Sequence, residues 1–295
     1  MEPWNTQKLL RWLPAAAIAL GLTLRMEYNA IWFIQPALMI IMFATFLETG
    51  NEIWQKISRY HFLLVSFQVS FAAITFVVLK NISLEIASAG LILVLAPTAV
   101  SAGAVAKGLN LPQGLVAAST LVTNLFTCIT FPLVPMIVGY DAPTLSNILV
   151  PLSRIGVTIL IPLLLAQIIL KFSASGIQWV HSTSWKFVIR FIWSAILFVS
   201  AAKVGHWYAG AAFMGVSSYL WPPLLALFIF MLQALVGYGA RKDHRYESLL
   251  SFAHTNSGIA ILLVIDLFPA STIAAILAYA LIQNVYFSIL MGRTT

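Results

Sequence analysis

The sequence predicts an all-α polytopic membrane protein whose ten transmembrane helices form two inverted five-helix repeats. Three observations predict it. Of the 295 residues, 61% are hydrophobic and only 8% are charged. Apolar stretches of membrane-spanning length recur along the chain, and the polar residues inside two of them fall at corresponding places in the two halves. A soluble domain carries about 25% charged residues, so an ordinary water-soluble fold is excluded. The net charge of +7 does not point to nucleic acid, because no basic run is longer than Arg241-Lys242. Excess Lys and Arg is what the cytoplasmic loops of membrane proteins accumulate. Cys128 is alone, so no internal disulfide or multi-cysteine metal site can form; it reads as a small apolar residue within a span.

A hydrocarbon core about 30 Å thick needs about 20 apolar helical residues per crossing. Stretches of that kind, bounded by charge, Gly or Pro, run over 10–25, 29–47, 60–79, 84–106, 111–138, 146–170, 184–203, 217–240, 247–268 and 270–291. The first resembles a signal peptide in length, but no small-x-small cleavage pattern precedes a polar start, so it is read as a short span. The seventh opens on Lys186 and Arg190. The longest connection, around Lys203 to Ser217, is rich in Gly and Ala. No connection can hold a soluble domain, so 1–295 is one membrane domain.

Alternate connections test the number of crossings. With the N-terminus in the cytoplasm, the inner side holds Lys8, Arg11, Lys56, Arg59, Lys107, Lys171, Lys186, Arg190, Arg241, Lys242, Arg245 and Arg293, and the outer side Arg25, Lys80, Arg154 and Lys203. Twelve against four places both termini in the cytoplasm. Five spans per half put the halves, about 1–140 and 141–295, in opposite orientations, the arrangement of inverted-repeat transporters. A constant offset of 157 lays Thr98 on Thr255, Pro112 on Pro269 and Ala117-Ala118 on Ala274-Ala275. Asn124 and Asn284 follow those prolines at comparable distances.

Within the fourth span, Pro97-Thr98-Ala99-Val100-Ser101-Ala102-Gly103 interrupts an apolar run at mid-depth. Pro97 removes a backbone donor and clashes with the preceding turn. In the ninth span His254-Thr255-Asn256-Ser257-Gly258 does the same. Unsatisfied polar groups facing lipid cost several kcal/mol each, so both interruptions should face protein or a water-filled cavity. A half-helix beginning after a break offers unpaired N–H groups and a positive dipole end, which suits a carboxylate or sulfonate. One kink alone is equally well read as packing; two at corresponding places point to a transport site. The candidate substrate-binding residues are Thr98, Ser101, His254, Asn256, Ser257 and Asn284. In the fifth span Thr120, Thr123, Thr127 and Thr130 recur on one helical face, beside Ser119 and Asn124. Such a stripe either coordinates a cation through neutral oxygens or packs against the fourth span. Gln68 lies near the centre of the third span and needs a partner; Gln35, Gln167, Gln233 and Gln283 are scattered.

These residues resemble the bile acid:sodium symporter superfamily over nearly the full length. The pieces that carry the resemblance are Ala89-Gly90-Leu91-Ile92-Leu93-Val94 leading to Pro97 and Ala106-Lys107-Gly108, the Ser/Thr-rich fifth span ending in Pro132 and Pro135, Asn256-Ser257-Gly258, Phe268-Pro269 and Gln283-Asn284. The resemblance implies a panel of spans one, two, six and seven beside a core of spans three to five and eight to ten. It also implies broken fourth and ninth spans that cross, an organic anion near the crossing, and two sodium ions behind it. The sodium ligands it implies here are Gln68, Ser119, Thr120, Thr123 and Thr255. Two departures are plain. The family's Glu-x-x-x-Gln-Asn-Ser has Ser251 and Thr255 at its Glu and Gln positions here, and its Gly-Gly-Thr-Ala-Ser-Asn run in the fourth span is absent.

All nine carboxylates lie near span ends or in connections: Glu2, Glu27, Glu48, Glu52, Glu85, Asp141, Asp243, Glu247 and Asp266. Without a buried acid, nothing of full negative charge offsets the lost hydration of a sodium ion. His254 offers either a proton site or a neutral hydrogen-bonded ring. The expected function is therefore a secondary transporter of a small organic anion or amphipathic carboxylate working by alternating access, with sodium as coupling ion. Alternatives are a sodium-independent or proton-linked carrier, or a channel or sensor of the same fold. The partners expected are that anion and the bilayer, with no cofactor and a monomer sufficient. No His-Glu-x-x-His, no Gly-x-Ser-x-Gly and no paired intramembrane aspartates occur, so catalysis is not expected.

Overall fold

The structure, a computed structural model, describes residues 6–25, 31–139, 145–172, 182–210, 217–265 and 267–292. These are all-helical, with no strand among the described residues. The helices are α1 (Thr6–Leu24), α2 (Ile31–Thr49), α3 (Arg59–Leu79), α4 (Leu84–Leu95), α5 (Ala102–Gly108), α6 (Gly114–Thr130), α7 (Val134–Val138), α8 (Leu145–Phe172), α9 (Thr183–Gly210), α10 (Ser217–Ala240), α11 (Arg245–Ala253), α12 (Ser257–Val264) and α13 (Ala270–Gly292). Among the described residues six helical segments are long and apolar enough to cross a membrane: Arg59–Leu79, Gly114–Val138, Leu152–Phe172, Phe187–His206, Tyr219–Ala240 and Ala270–Leu290. The chain is built as an integral membrane protein. Its polarity is inverted accordingly: Phe62, Leu63, Leu164, Leu224, Phe228 and Leu235 are exposed, whereas Thr98, Asn124, Ser251 and Ser257 are buried.

Local chemistry sets the boundaries. The backbone N–H of Ser58 donates to His61 Nδ1 at 3.0 Å at the start of α3. Ser83 Oγ accepts from the Glu85 N–H at 3.2 Å and opens α4. α4 stops at Ala96 because the proline ring that follows excludes a helical residue before it; Ala96 is accordingly extended, with ψ of 128°. α6 tightens into a 3-10 turn at Phe131–Leu133, where Pro132 cannot donate, and α7 ends at Gly139 with φ of 75°. The seventh apolar stretch is longer than the expected 184–203: α9 continues through Ala201-Ala202 to Gly210, so part of the Gly/Ala-rich connection is helix.

α1 packs along α9, and α2 along α8 and α9; α4 lies against α3, and α10 against α11 and α13. The α1–α9 approach depends on two glycines. A Cβ on Gly21 would stand 2.4 Å from Phe198 O, and one on Gly205 would stand 2.3 Å from Leu22 O. Both obstacles are backbone, so the helices would have to separate. Gly205→Ala is expected to cost about 1–3 kcal/mol, read as a lower thermal midpoint in detergent, whereas Gly156→Ala, with open space around it, should leave the midpoint unchanged.

Candidate functional site

The fourth and ninth apolar stretches are each split, into α4/α5 and α11/α12, and the two gaps lie against each other. Thr98 and Thr255 form an isolated antiparallel β-bridge. The Ala99 N–H donates to His254 O and the Asn256 N–H to Pro97 O, both at 2.6 Å. Thr98 Oγ1 donates to Ser251 O at 2.7 Å. Sequence reasoning anticipates carbonyls orphaned by Pro97; each interruption instead supplies what the other lacks. The accounting that buried backbone polar groups demand is met across the pair.

Each bridging threonine is further held by the long helix that follows it in the chain. On the first, the Thr98 N–H donates to Thr123 Oγ1 at 2.9 Å, and Asn124 Nδ2 donates to Thr98 O at 3.0 Å. Thr120 Oγ1 adds a bond to Ala99 O at 3.2 Å. On the second, the Thr255 N–H donates to Gln283 Oε1 at 2.8 Å, and Gln283 Nε2 donates to Thr255 O at 3.0 Å. The halves are joined side chain to side chain where Asn256 Nδ2 donates to Asn124 Oδ1 at 3.4 Å.

Of the expected substrate residues, Thr98, His254, Asn256 and Ser257 are buried at this junction. Ser101 is exposed, and its Oγ lies 3.0 Å from His254 Nε2; His254 Nδ1 is buried with no hydrogen-bond partner. Asn256 Oδ1 accepts from the Ile259 N–H at 3.3 Å and so caps α12 with its own side chain. Gly258 packs so close to α2 and α9 that a Cβ would stand 2.5 Å from Leu38 Cδ2 and 3.0 Å from Trp193 Cζ3. The positive end of α12 is thus covered, where the sequence suggests open N–H groups. Asn284 is not brought to the junction. Its Nδ2 donates to Ala280 O at 2.6 Å, and it lines a recess against α1 with Pro14 and Ile18.

Of the residues expected to hold sodium, Thr120, Thr123 and Thr255 meet at the bridge. Ser119 Oγ donates instead to Leu115 O of its own helix at 2.9 Å, and Gln68, buried in α3, has no partner for Nε2. No cluster of three or more His, Cys, Asp or Glu that could hold a metal occurs among the described residues. Cys128 is buried, as expected, with Sγ 3.6 Å from Asn124 O. Asn124 and Gln283, named in the sequence only beside the threonine stripe and as a scattered amide, are the supports of the bridge that the candidate site left out. The signal was spacing: they lie 26 and 28 residues beyond Thr98 and Thr255. The expectation of no buried acid is also corrected, since Glu247, in the first turn of α11, is only 5% exposed. Asp141 and Asp266 lie outside the described residues.

A second recess reaches toward the junction between α2 and the α5–α6 pair, lined by Thr45, Phe46, Val100, Gly103, Ala117 and Thr120. Neutral amides, hydroxyls and one imidazole thus converge on irregular backbone between packed helices. Such a site can bind polar groups by many weak, directional bonds. No protein-family model matches the chain, and no curated protein matches it.

Proposed function

We propose that the protein is a secondary transporter of a small organic anion or amphipathic carboxylate, working by alternating access around the paired interruptions of the fourth and ninth spans. The observation that carries this reading is the Thr98–Thr255 bridge with its parallel supports from α6 and α13. Irregular backbone at membrane depth is tolerated only where it is buried in protein or lines a cavity, and paired discontinuous helices are how carriers build central sites. The same pairing supports ten spans in two inverted repeats: each half presents an interrupted helix whose threonine is held by the amide of the next helix. The association of α1, α2, α8 and α9 supports a panel that rocks against the remaining core, as the resemblance to the bile acid:sodium symporter superfamily implies. Both termini then lie in the cytoplasm, and no catalytic step is required.

The anion would meet the amide and hydroxyl groups of Asn256, Ser257 and Ser101 once the panel withdraws from Gly258. Sodium coupling draws support from Thr120 and Thr123 at the bridge. The test is uptake of a panel of labelled carboxylates and sulfonates into proteoliposomes. Asn256→Ala and Ser257→Ala are each expected to reduce uptake at least about tenfold, the effect of about 1.4 kcal/mol; wild-type uptake in both variants would refute the site. Replacing sodium by potassium or choline should depress uptake, and undiminished uptake would remove sodium from the mechanism. Counterflow separates a carrier from a channel.

A further inference from the structure

Glu247 is the one carboxylate side chain that is fully buried among the described residues. Its Oε1 lies 3.0 Å from His244 Nδ1, and the His244 side chain is 39% exposed. One partner of the pair therefore reaches solvent at the start of α11 while the other is buried within the protein. Two further buried polar atoms at this end of α3 and α11 have no hydrogen-bond partner, Tyr60 Oη and Ser248 Oγ. Ser248 is completely buried. The Tyr60 hydroxyl lies beside those of Ser248 and Ser251 and within electrostatic reach of Glu247 and Arg241; the Arg241 guanidinium stands 5.5 Å from the Tyr60 ring. Buried polar atoms without partners cost about 1–3 kcal/mol each. The Tyr60 oxygen, an open acceptor within electrostatic reach of the buried acid, is a place that a carboxyl hydrogen can serve.

The position connects to the junction by one helical turn. Ser251 Oγ donates to Glu247 O at 2.8 Å, and Ser251 O accepts from Thr98 Oγ1 at 2.7 Å. A movement of the first turn of α11 is therefore transmitted to the bridge.

We propose that Glu247 is a proton-binding site, reached through His244 from the cytoplasmic face, whose occupancy sets the position of the interrupted helices. It rests on the carrier reading above and adds the identity of a coupling ion. In the loading step the N–H bond at His244 Nδ1 of the imidazolium breaks and an O–H bond forms at Glu247 Oε1, so one proton moves and an ion pair becomes a neutral pair. The new carboxyl hydrogen is a donor for an acceptor that otherwise has none, Tyr60 Oη. The other titratable or charged groups around this end of α11 are Arg245 and Tyr246 on α11 itself, Tyr60 and His61 from α3, Tyr238 from α10, and Arg241, Lys242 and Asp243 from the connecting turn. α6 presents serine and threonine hydroxyls, and the described side chains of α5 are apolar. The arginine beside Tyr60 opposes a metal cation at this place but not a proton, which neutralises the carboxylate without adding a separate charge.

The experiment uses the full chain in lipid nanodiscs, with protons as the only probe. Infrared difference spectra across the range in which carboxyl and imidazole groups titrate are expected to contain, beside the bands of the other eight carboxylates, one carboxyl band that is lost in Glu247→Gln. The band should shift in His244→Ala and return in Glu247→Asp. In a Cys128→Ala background, the thiol introduced by Gly103→Cys, on the recess beside the junction, should change its labelling rate at least about tenfold over the same range. That change should vanish with Glu247→Gln. Carboxyl bands that are identical in the wild type and Glu247→Gln, or a labelling rate indifferent to pH in the wild type, overturn the proposal. Failure here leaves the effects of Asn256→Ala and Ser257→Ala on uptake untouched, so the two readings fall separately.

Discussion

Replacing Gln283 by leucine is expected to be the most damaging single change in the protein. Both ends of this amide serve one residue: Oε1 accepts from the Thr255 N–H, and Nε2 donates to Thr255 O and, at 3.3 Å, to Ser257 Oγ. Thr255 and Gln283 are 2% and 1% exposed, so no solvent replaces what is lost. The Thr255 O keeps the Ser257 N–H as a donor, but the Thr255 N–H is left with no partner. An unpaired buried donor costs about 1–3 kcal/mol, and the weakened Thr255 O and Ser257 Oγ bring the whole to about 2–4 kcal/mol. A drop of about 5–15 °C in the apparent midpoint of the detergent-solubilised protein is expected, together with loss of uptake. Gln233→Leu is the matched control. Gln233 is equally buried but serves only the Tyr279 hydroxyl, which also bonds Ala253 O at 3.0 Å, so its loss should be several-fold milder. Equal midpoints for the two variants would show that Gln283 does not support the bridge.

Asn124→Leu is expected to separate function from stability. It orphans Thr98 O and removes the bond to Asn256 Nδ2, but leaves the Thr98 N–H on Thr123 Oγ1. The fold should survive with a loss of about 1–3 kcal/mol. Uptake should nevertheless fall at least about tenfold, because Asn124 is the α6 side chain that holds the first interruption and reaches Asn256 of the second. Restored binding in Asn124→Gln or Asn124→Asp would show that a hydrogen-bonding end group, rather than shape, is what the position supplies. A Leu variant that transports normally would exclude the Asn124–Asn256 contact from the mechanism.

The interruptions were legible in the sequence because their cause is local. Pro97 dictates the extended Ala96, and a polar run such as His254 to Ser257 is conspicuous among apolar residues. What holds them was less legible. Asn124 and Gln283 act across 26 and 28 residues, and their direction depends on the rotation of helices that are apolar on most faces, where periodicity carries little signal. The adjacent pair Gln283-Asn284 shows the difficulty. Neighbouring helical residues point about 100° apart, and of the two only Gln283 turns toward the bridge, while Asn284 bonds its own helix and looks to α1. Glu247 was misread for a related reason. A position near a span end suggests solvent, but the first turn of α11 is packed under α10 and α6, which buries it. Helix α9 likewise overran its apolar window, because its packing along α1, which seats Gly205 against Leu22, supports residues of poor intrinsic helix propensity.

The Thr98–Thr255 bridge has a mechanical consequence. A gap in a helix is ordinarily a soft joint, since the chain there has freedom that the helix lacks. Here the amides of Thr98, Ala99, Thr255 and Asn256 are all tied to partners outside their own segment, and the partners lie on the opposite interruption and on two long helices. The gap therefore has no slack. α4 cannot be displaced without dragging α11, nor α5 without α12, so the four half-helices behave as one stiff crosspiece, and any compliance must lie at its contacts with the helices around it.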